Sequence, residues 1–471
     1  MSAPASRAWG WGAVALTGLL VAARLALMAH ASADLSPTEA ALWRAAPSPF
    51  APGADVPPLA AQLAALARLV SPDPAHALRG LALLAQVIAA AGIWALARRL
   101  YDGRVALGAC AVFLTVPAVT LTGALSGPLA LGGVAWVCAL HAVLNALRTG
   151  LAGWWLAVGL ISGLGFLCSP SMALFVPSLI FYALLSPETR GLGRRPAPWL
   201  ALGIALVLAV PGLPGAVPFP PFPAPGLAGA GATLALGALL LGPLLAFVLA
   251  WAGSHPGGAS RSVEPGDPRG RQGFRTRFLV AFSLPGLALP PLAALAGIPV
   301  APGDGAALAA VTASILGTAW LARPAWARAV LAASLGLHLA ATALIWRADT
   351  VSRPLGLALP RALDPWGPGR GLAQTLPWGQ TLIARYPALG FAFDDPALGH
   401  GLEAQWRLAS PVAVPDPESP PPPGTVWITR ADDAAARARC PACRPAGFLY
   451  LETGPGRWLR LHAFLSPSPS S

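Results

Sequence analysis

The chain has 471 residues, 55% of them hydrophobic and only 11% charged, with a mean hydropathy of +0.62. A soluble domain carries about 25% charged residues, so this composition excludes a water-solvated globule and makes lipid the main solvent. The formal charge is +12, and all 31 Lys+Arg positions are arginine. These arginines lie between apolar runs and not on a polar domain, which sets nucleic-acid binding aside.

In chain order, the rule of about 20 apolar residues per crossing predicts about eleven transmembrane helices, several short or broken by Pro and Gly. They fall at 9–29, 80–97, 105–122, 127–147, 152–168, 171–186, 198–216, 228–252, 278–298, 305–322 and 327–346. The first run, with Arg7 before it and "AHASA" after it, also fits a signal peptide. It is long for one and reads as a retained helix, with Arg24 expected to snorkel outward near its end.

Between the first two spans lies a loop over 30–79. It contains "PTEAALWRAA" and "VPPLAAQLAALARLV". In the second stretch Leu59, Leu63, Leu66 and Val70 recur at helical spacing, as expected for a helix lying at a membrane interface. Pro57 and Pro58 suit its first turn. In the first stretch Glu39 and Trp43 are four residues apart, hence on one helical face.

Arginine placement orients the spans. With the N-terminus cytoplasmic, Arg98, Arg99, Arg104, Arg148, Arg190, Arg194, Arg195, the basic loop over 254–277, Arg323 and Arg328 all fall inside. The short outer segments carry only Arg44, Arg68 and Arg79. This places the first loop and the tail outside. The expected organisation is a transmembrane domain over 1–346, an extracytoplasmic domain over 347–465 and a disordered tail over 466–471. In the extracytoplasmic domain short β-rich runs (426–429, 448–451, 458–463) alternate with turns, which predicts a small α/β or α+β fold. Its "CPAC" (440–443) reads as a local disulfide. "DDP" and "ADD" read as turn or cap residues. His141 and His338, within spans, read as helix contacts.

"LSPTEAALW", "ADVPPLAAQL", "LRGLALLAQVIAAAGIWALARRLYDGRVALGACAVFLTVPAV", "ALSGPLAL" and "GLISGLGFLCSPSMALF" follow one another in this topology. Together they resemble the dolichyl-phosphate-mannose–protein mannosyltransferase superfamily, whose bacterial branch includes the lipid A aminoarabinose transferases. The resemblance covers most of the chain. It implies a mainly α, polytopic membrane protein of GT-C type in the bacterial inner membrane, with the C-terminal domain periplasmic. It also implies a glycosyltransferase that passes a sugar from a polyprenyl-phosphate donor to a lipid or protein acceptor on the periplasmic face.

That chemistry needs a carboxylate to take or orient the acceptor proton, and cations or a divalent metal to absorb charge on the phosphate leaving group. The resemblance places the family's aspartates at Thr38 and Ser126 and its lysine at Ser169, so three charges are missing. The remaining candidates are Glu39 and Asp55 as catalytic carboxylates, and Arg44, Trp43 and Arg79 as substrate-binding residues. No residue is assigned to a metal. The structural reading of Glu39 is a first-turn acid favoured by the helix dipole. The missing charges also admit an alternative, a catalytically inactive GT-C-fold protein that binds a lipid carrier or a partner glycosyltransferase. A transporter would show internal repeats and charged midplane helices, and neither is visible.

Overall fold

In a computed structural model the described residues are 3–29, 35–46, 56–125, 127–213, 226–242, 268–298, 302–321, 325–346, 371–394, 396–406, 408, 419–454 and 457–467. The last four residues of the expected tail, 468–471, lie outside them. The protein is mainly helical and divides into two compact units.

The first unit comprises residues 1–29, 49–60 and 79–343. Its helices are α1 (Ala3–Ala29), most of α4 (Pro74–Leu100), α5 (Gly103–Thr115), α6 (Pro117–Leu125), α7 (Gly127–Thr149), α8 (Ala152–Cys168), α9 (Phe175–Leu185), α10 (Pro196–Ala209) and α11 (Leu227–Leu241). They are followed by α12 (Pro268–Ala281), α13 (Leu284–Leu295), α14 (Pro302–Leu321) and α15 (Ala325–Trp346). Where the predicted apolar segments fall on described residues they are helical, and the ends of the segments 198–216 and 228–252 lie outside those residues. Among the described residues five helices are long and apolar enough to cross a membrane, or up to six if a pair bent by 101° after Leu185 counts as one span. The others are shorter apolar helices.

The breaks have local causes. Val116 adopts φ −53° and ψ 129° between α5 and α6, because the ring of Pro117 disfavours a helical conformation in the residue before it. Where helices approach closely, glycine permits it. Gly159 and Gly163 on α8 form a G-x-x-x-G face. A Cβ on Gly159 would collide with the Ala201 carbonyl of α10, and one on Gly163 would lie 2.6 Å from Leu208 Cβ. An aromatic core of Trp136, Phe175, Tyr182, Phe278 and Phe282 fills the space among α7, α9 and α12, with edge-on and tilted pairs.

Several arginines meet at one end of this unit. Arg99 donates to Asn145 Oδ1 (3.1 Å), Arg148 donates to the Arg99 carbonyl (3.4 Å), and Arg277 pairs with Glu188. Arg275 lies over Tyr101 at 5.0 Å and Arg104 over Trp9 at 5.5 Å. One arginine departs from expectation. Arg24 does not snorkel. It is buried in the bundle, where it donates to Gln86 Oε1, to the Leu114 carbonyl and to Thr120 Oγ1 (3.2 Å). Polar acceptors on α4, α5 and α6 give the guanidinium a better partner set than the longer reach to a bilayer surface would. The two span histidines are helix contacts, as expected: His141 Nε2 meets the Gly92 carbonyl at 2.9 Å, and His338 Nδ1 lies 3.5 Å from Thr115 Oγ1.

The second unit comprises residues 30–48, 61–78 and 344–471. It contains α2 (Pro37–Ala45), most of α3 (Pro58–Val70), α16 (Leu376–Arg385), β1 (Gly390–Phe393), α17 (Pro396–Trp406), β2 (Thr425–Thr429), α18 (Asp433–Arg439), β3 (Arg444–Gly454) and β4 (Arg457–Leu465). The strands form one mixed sheet of order β1-β2-β4-β3, with β1 parallel to β2 and the other pairs antiparallel. Alternation sends Val426, Ile428, Leu451 and Leu461 into a core with Leu398, Leu402 and Trp406. Trp427 and Phe464 point to the other face, against Ala436 and the Cys440–Cys443 disulfide. Asp432 caps α18 by accepting from Ala435 N–H (2.8 Å). Asp394 does more than turn the chain. Its Oδ1 accepts from Trp427 Nε1 and from Arg439, both at 2.7 Å.

Candidate functional site

Three of the first-loop candidates, Glu39, Trp43 and Arg44, lie on α2. The sequence Ser36-Pro37-Thr38-Glu39 forms a capping box. Ser36 N–H donates to Glu39 Oε2 (2.8 Å), and Glu39 N–H donates to Ser36 Oγ (3.2 Å). Pro37 at the first helical position adds a preset φ. Glu39 is 2% exposed, and Thr38 beside it is half-buried. The cap makes the Glu39 carboxylate part of the helix start, in line with the structural reading of this residue.

One turn further on, Trp43 and Arg44 are both half-buried. The Arg68 guanidinium from α3 lies 4.3 Å over the Trp43 ring and donates to the Trp43 carbonyl (3.2 Å). Arg44 Nε faces Glu403 Oε2 of α17 at 3.3 Å. The approach is an ion pair without hydrogen-bond alignment. Burial pushes the Glu403 carboxyl up from its ordinary value, and the charge of Arg44 pulls it back only in part. Glu403 gave no sign in the sequence, since its partner is more than 350 positions away. α3 turns its small residues Ala60, Ala61 and Ala64 inward and leaves Leu66, Leu69 and Val70 exposed.

In the helical unit, Arg79 near the start of α4 is 3% exposed. Ser169 is buried at the end of α8, where a Cβ on Gly132 of α7 would lie 2.7 Å from its own Cβ. Asp55 and Ser126 fall outside the described residues. Among the described residues there is no group of three or more His, Cys, Asp or Glu that could hold a metal ion. One charged contact went unread in the sequence. Ser171, in the 3-10 turn Pro170–Leu174, donates to Asp304 Oδ2 at 2.5 Å. Asp304 stands immediately before the apolar segment predicted over 305–322.

Comparison with known proteins bears out the resemblance read from the sequence. Residues 55–214 match the family profile described as dolichyl-phosphate-mannose-protein mannosyltransferase. No curated protein sequence matches significantly. Among solved structures, ArnT from Cupriavidus metallidurans in the apo state is 16% identical with a TM-score of 0.62, over 98% of each chain. The same protein bound to undecaprenyl phosphate gives 17% identity and a TM-score of 0.60, over 96% of this chain and 99% of that one. Arabinofuranosyltransferase AftD from Mycobacteria gives 16% identity and a TM-score of 0.51, over 97% of this chain and 40% of that one. At these identities the likeness establishes the fold alone, which is the GT-C fold.

Proposed function

From the mannosyltransferase signature over residues 55–214 and a GT-C fold matched from end to end, we propose that this chain is a membrane glycosyltransferase. Its donor is a sugar carried on polyprenyl phosphate, and its acceptor is a hydroxyl of a lipid or protein. Transfer takes place on the side away from the arginine-rich end, the periplasmic side of an inner membrane crossed about eleven times, with the N-terminus cytoplasmic. The joint presence of signature and full-length fold carries the reading. The arginines at one end of the helical unit support the orientation, since cytoplasmic loops concentrate Arg.

The transfer forms a bond from the acceptor oxygen to the anomeric carbon. It breaks the bond from that carbon to the phosphate oxygen, which leaves with the electron pair. Either Arg44 or Arg79 is our candidate to hold the phosphate by charge-assisted hydrogen bonds, and Trp43 is a further substrate-binding candidate. Glu39 enters as the residue that fixes α2 through its capping box, and Asp55 is the second carboxylate of the first loop. A divalent metal, where bound, would share the phosphate charge. The residues Thr38, Ser126 and Ser169, standing where the resemblance places charged groups, favour a second reading: a catalytically silent carrier-binding protein of the same fold.

The test is mass spectrometry of envelope glycolipids and glycoproteins in a strain lacking the gene, complemented with wild type, Arg79→Ala or Glu39→Gln. A sugar lost on deletion, restored by wild type and diminished with Arg79→Ala is the expected result. Full restoration by Glu39→Gln removes Glu39 from proton transfer and leaves its capping role. No sugar difference between the deleted and complemented strains would overturn catalysis in favour of the second reading.

A further inference from the structure

The helical unit is poor in carboxylates, and the fold sorts the described ones by end. Asp102 caps α5, where its Oδ1 accepts from the N–H groups of Arg104 (2.9 Å) and Val105 (3.0 Å). Glu188 is paired with Arg277. Both stand among the arginines. Asp304 is the one described carboxylate of this unit at the opposite end. The connectivity requires that placement: α7 ends at Arg148 and Thr149 in the arginine cluster, α8 returns, and Ser171 follows the far end of α8.

Asp304 is held firmly. It lies in the first turn of α14, and the next residue, Gly305, packs so closely on α13 that a Cβ there would collide with the Gly286 carbonyl. Oδ2 accepts from Ser171, which comes from a different part of the chain. Oδ1 has no hydrogen bond among the described residues, and the residue is half-buried, not sealed. An ionisable residue within a helix apolar enough to cross a membrane is a functional candidate.

We propose that Asp304 is a catalytic carboxylate of this protein and receives the proton of the acceptor hydroxyl. The inference rests on the glycosyltransferase reading and deepens it. Ser171 is the positioning residue: it donates to Oδ2, turns the carboxylate and leaves Oδ1 to face the acceptor. As the acceptor oxygen bonds to the anomeric carbon, its proton passes to Oδ1, and the phosphate leaves with the electrons of the broken bond. The competing account is a first-turn acid that merely complements the helix dipole. Asparagine at that place would preserve a first-turn hydrogen-bond acceptor but could not take the proton.

The experiment uses the full-length protein in the deletion strain, as wild type, Asp304→Asn or Ser171→Ala. Membrane level, envelope sugar and binding of undecaprenyl phosphate by native mass spectrometry are read for each. Asp304→Asn is expected to lose roughly 100- to 10,000-fold of the transfer while keeping its membrane level and its binding of undecaprenyl phosphate. Ser171→Ala is expected to shift the acidic limb of the pH profile of sugar incorporation in isolated membranes to higher pH, because the carboxylate loses a stabilising donor. Full restoration by Asp304→Asn overturns the role of Asp304 and leaves the transfer reading standing. If Asp304→Asn fails to accumulate, Ser171→Ala decides, and an unchanged pH profile overturns the proposal. If wild type itself restores no sugar, the transfer reading falls and takes this role with it.

Discussion

Arg24 of α1 and Gln86 of α4 are joined side chain to side chain inside the helical unit. Gln86 is spent on both sides, since its Nε2 also donates to the Val119 carbonyl at 2.5 Å. Thr342 of α15 extends the chain of contacts by donating to Thr120 Oγ1 at 3.4 Å. A cation met only by neutral acceptors ties α1, α4, α5 and α6 together without a counter-charge among its described partners.

Gln86→Leu therefore should destabilise more than Arg24→Leu. The first leaves a buried charge short of an acceptor, which costs about 1.5–3 kcal/mol. The second removes the charge itself and leaves Gln86 and Thr120 with their carbonyl partners. Thermal unfolding of the purified variants in detergent gives the order, and the reverse order would show that Arg24 is held mainly by packing.

The Arg44–Glu403 pair should stabilise the second unit only weakly. Burial raises the folded-state value of the Glu403 carboxyl. A raised carboxylate contributes stability at pH below its unfolded value and loses that contribution as pH rises through the raised one. Glu403→Gln should flatten this loss and leave stability at pH 7 unchanged or slightly higher. Arg44→Ala, which strands the carboxylate, should cost about 1–2 kcal/mol there. Denaturation at pH 4 and pH 7 distinguishes the two, and equal losses at both pH values would refute the linkage.

At the start of α2 the two natural substitutions of Glu39 should separate. Glutamine can complete the capping box as glutamate does, so Glu39→Gln should unfold like wild type. Glu39→Ala removes the reciprocal bond and should cost about 1 kcal/mol. Circular dichroism melts check this independently of any activity. A Gln variant as unstable as the Ala variant would mean that the charge, not the cap, holds the helix.

On α8, Gly159→Ala places a methyl group against the Ala201 carbonyl, and backbone cannot swing aside. Separation of α8 from α10 should cost roughly 1–3 kcal/mol. Gly153 on the same helix has nothing within 4 Å of its missing Cβ, so Gly153→Ala should be neutral or slightly stabilising. Similar melting of the two variants in detergent would argue that the close approach carries no energy.

What could be read in advance followed from one-dimensional signals. Apolar runs and the arginines between them marked the helices, and "CPAC" marked its disulfide because two cysteines three apart need no distant partner. The pattern "SPTE" carries the capping box in plain view, at the same place where the resemblance implies an aspartate for Thr38. Contacts between distant residues were not readable. Arg24 looked free to reach a surface because nothing in its own helix names Gln86 or Thr120 as partners. Asp304 and Ser171 are 133 positions apart, and neither has a sequence context that singles it out. The strand Gly390–Phe393 has four residues, too few for alternation to stand out from a turn-rich tail.

The second unit draws residues 30–48 and 61–78 together with 344–471. Its first pieces leave the ribosome well before its last. At ordinary elongation rates the wait is on the order of 20–70 s. During that wait α2 is without α17, and Arg44 without Glu403. Every helix of the first unit must be made before the sheet that completes the second one exists. A stop codon or frameshift late in the gene would thus leave a membrane bundle with an unclosed first loop, and the quality-control machinery of the cell would meet exposed segments that the finished protein never displays.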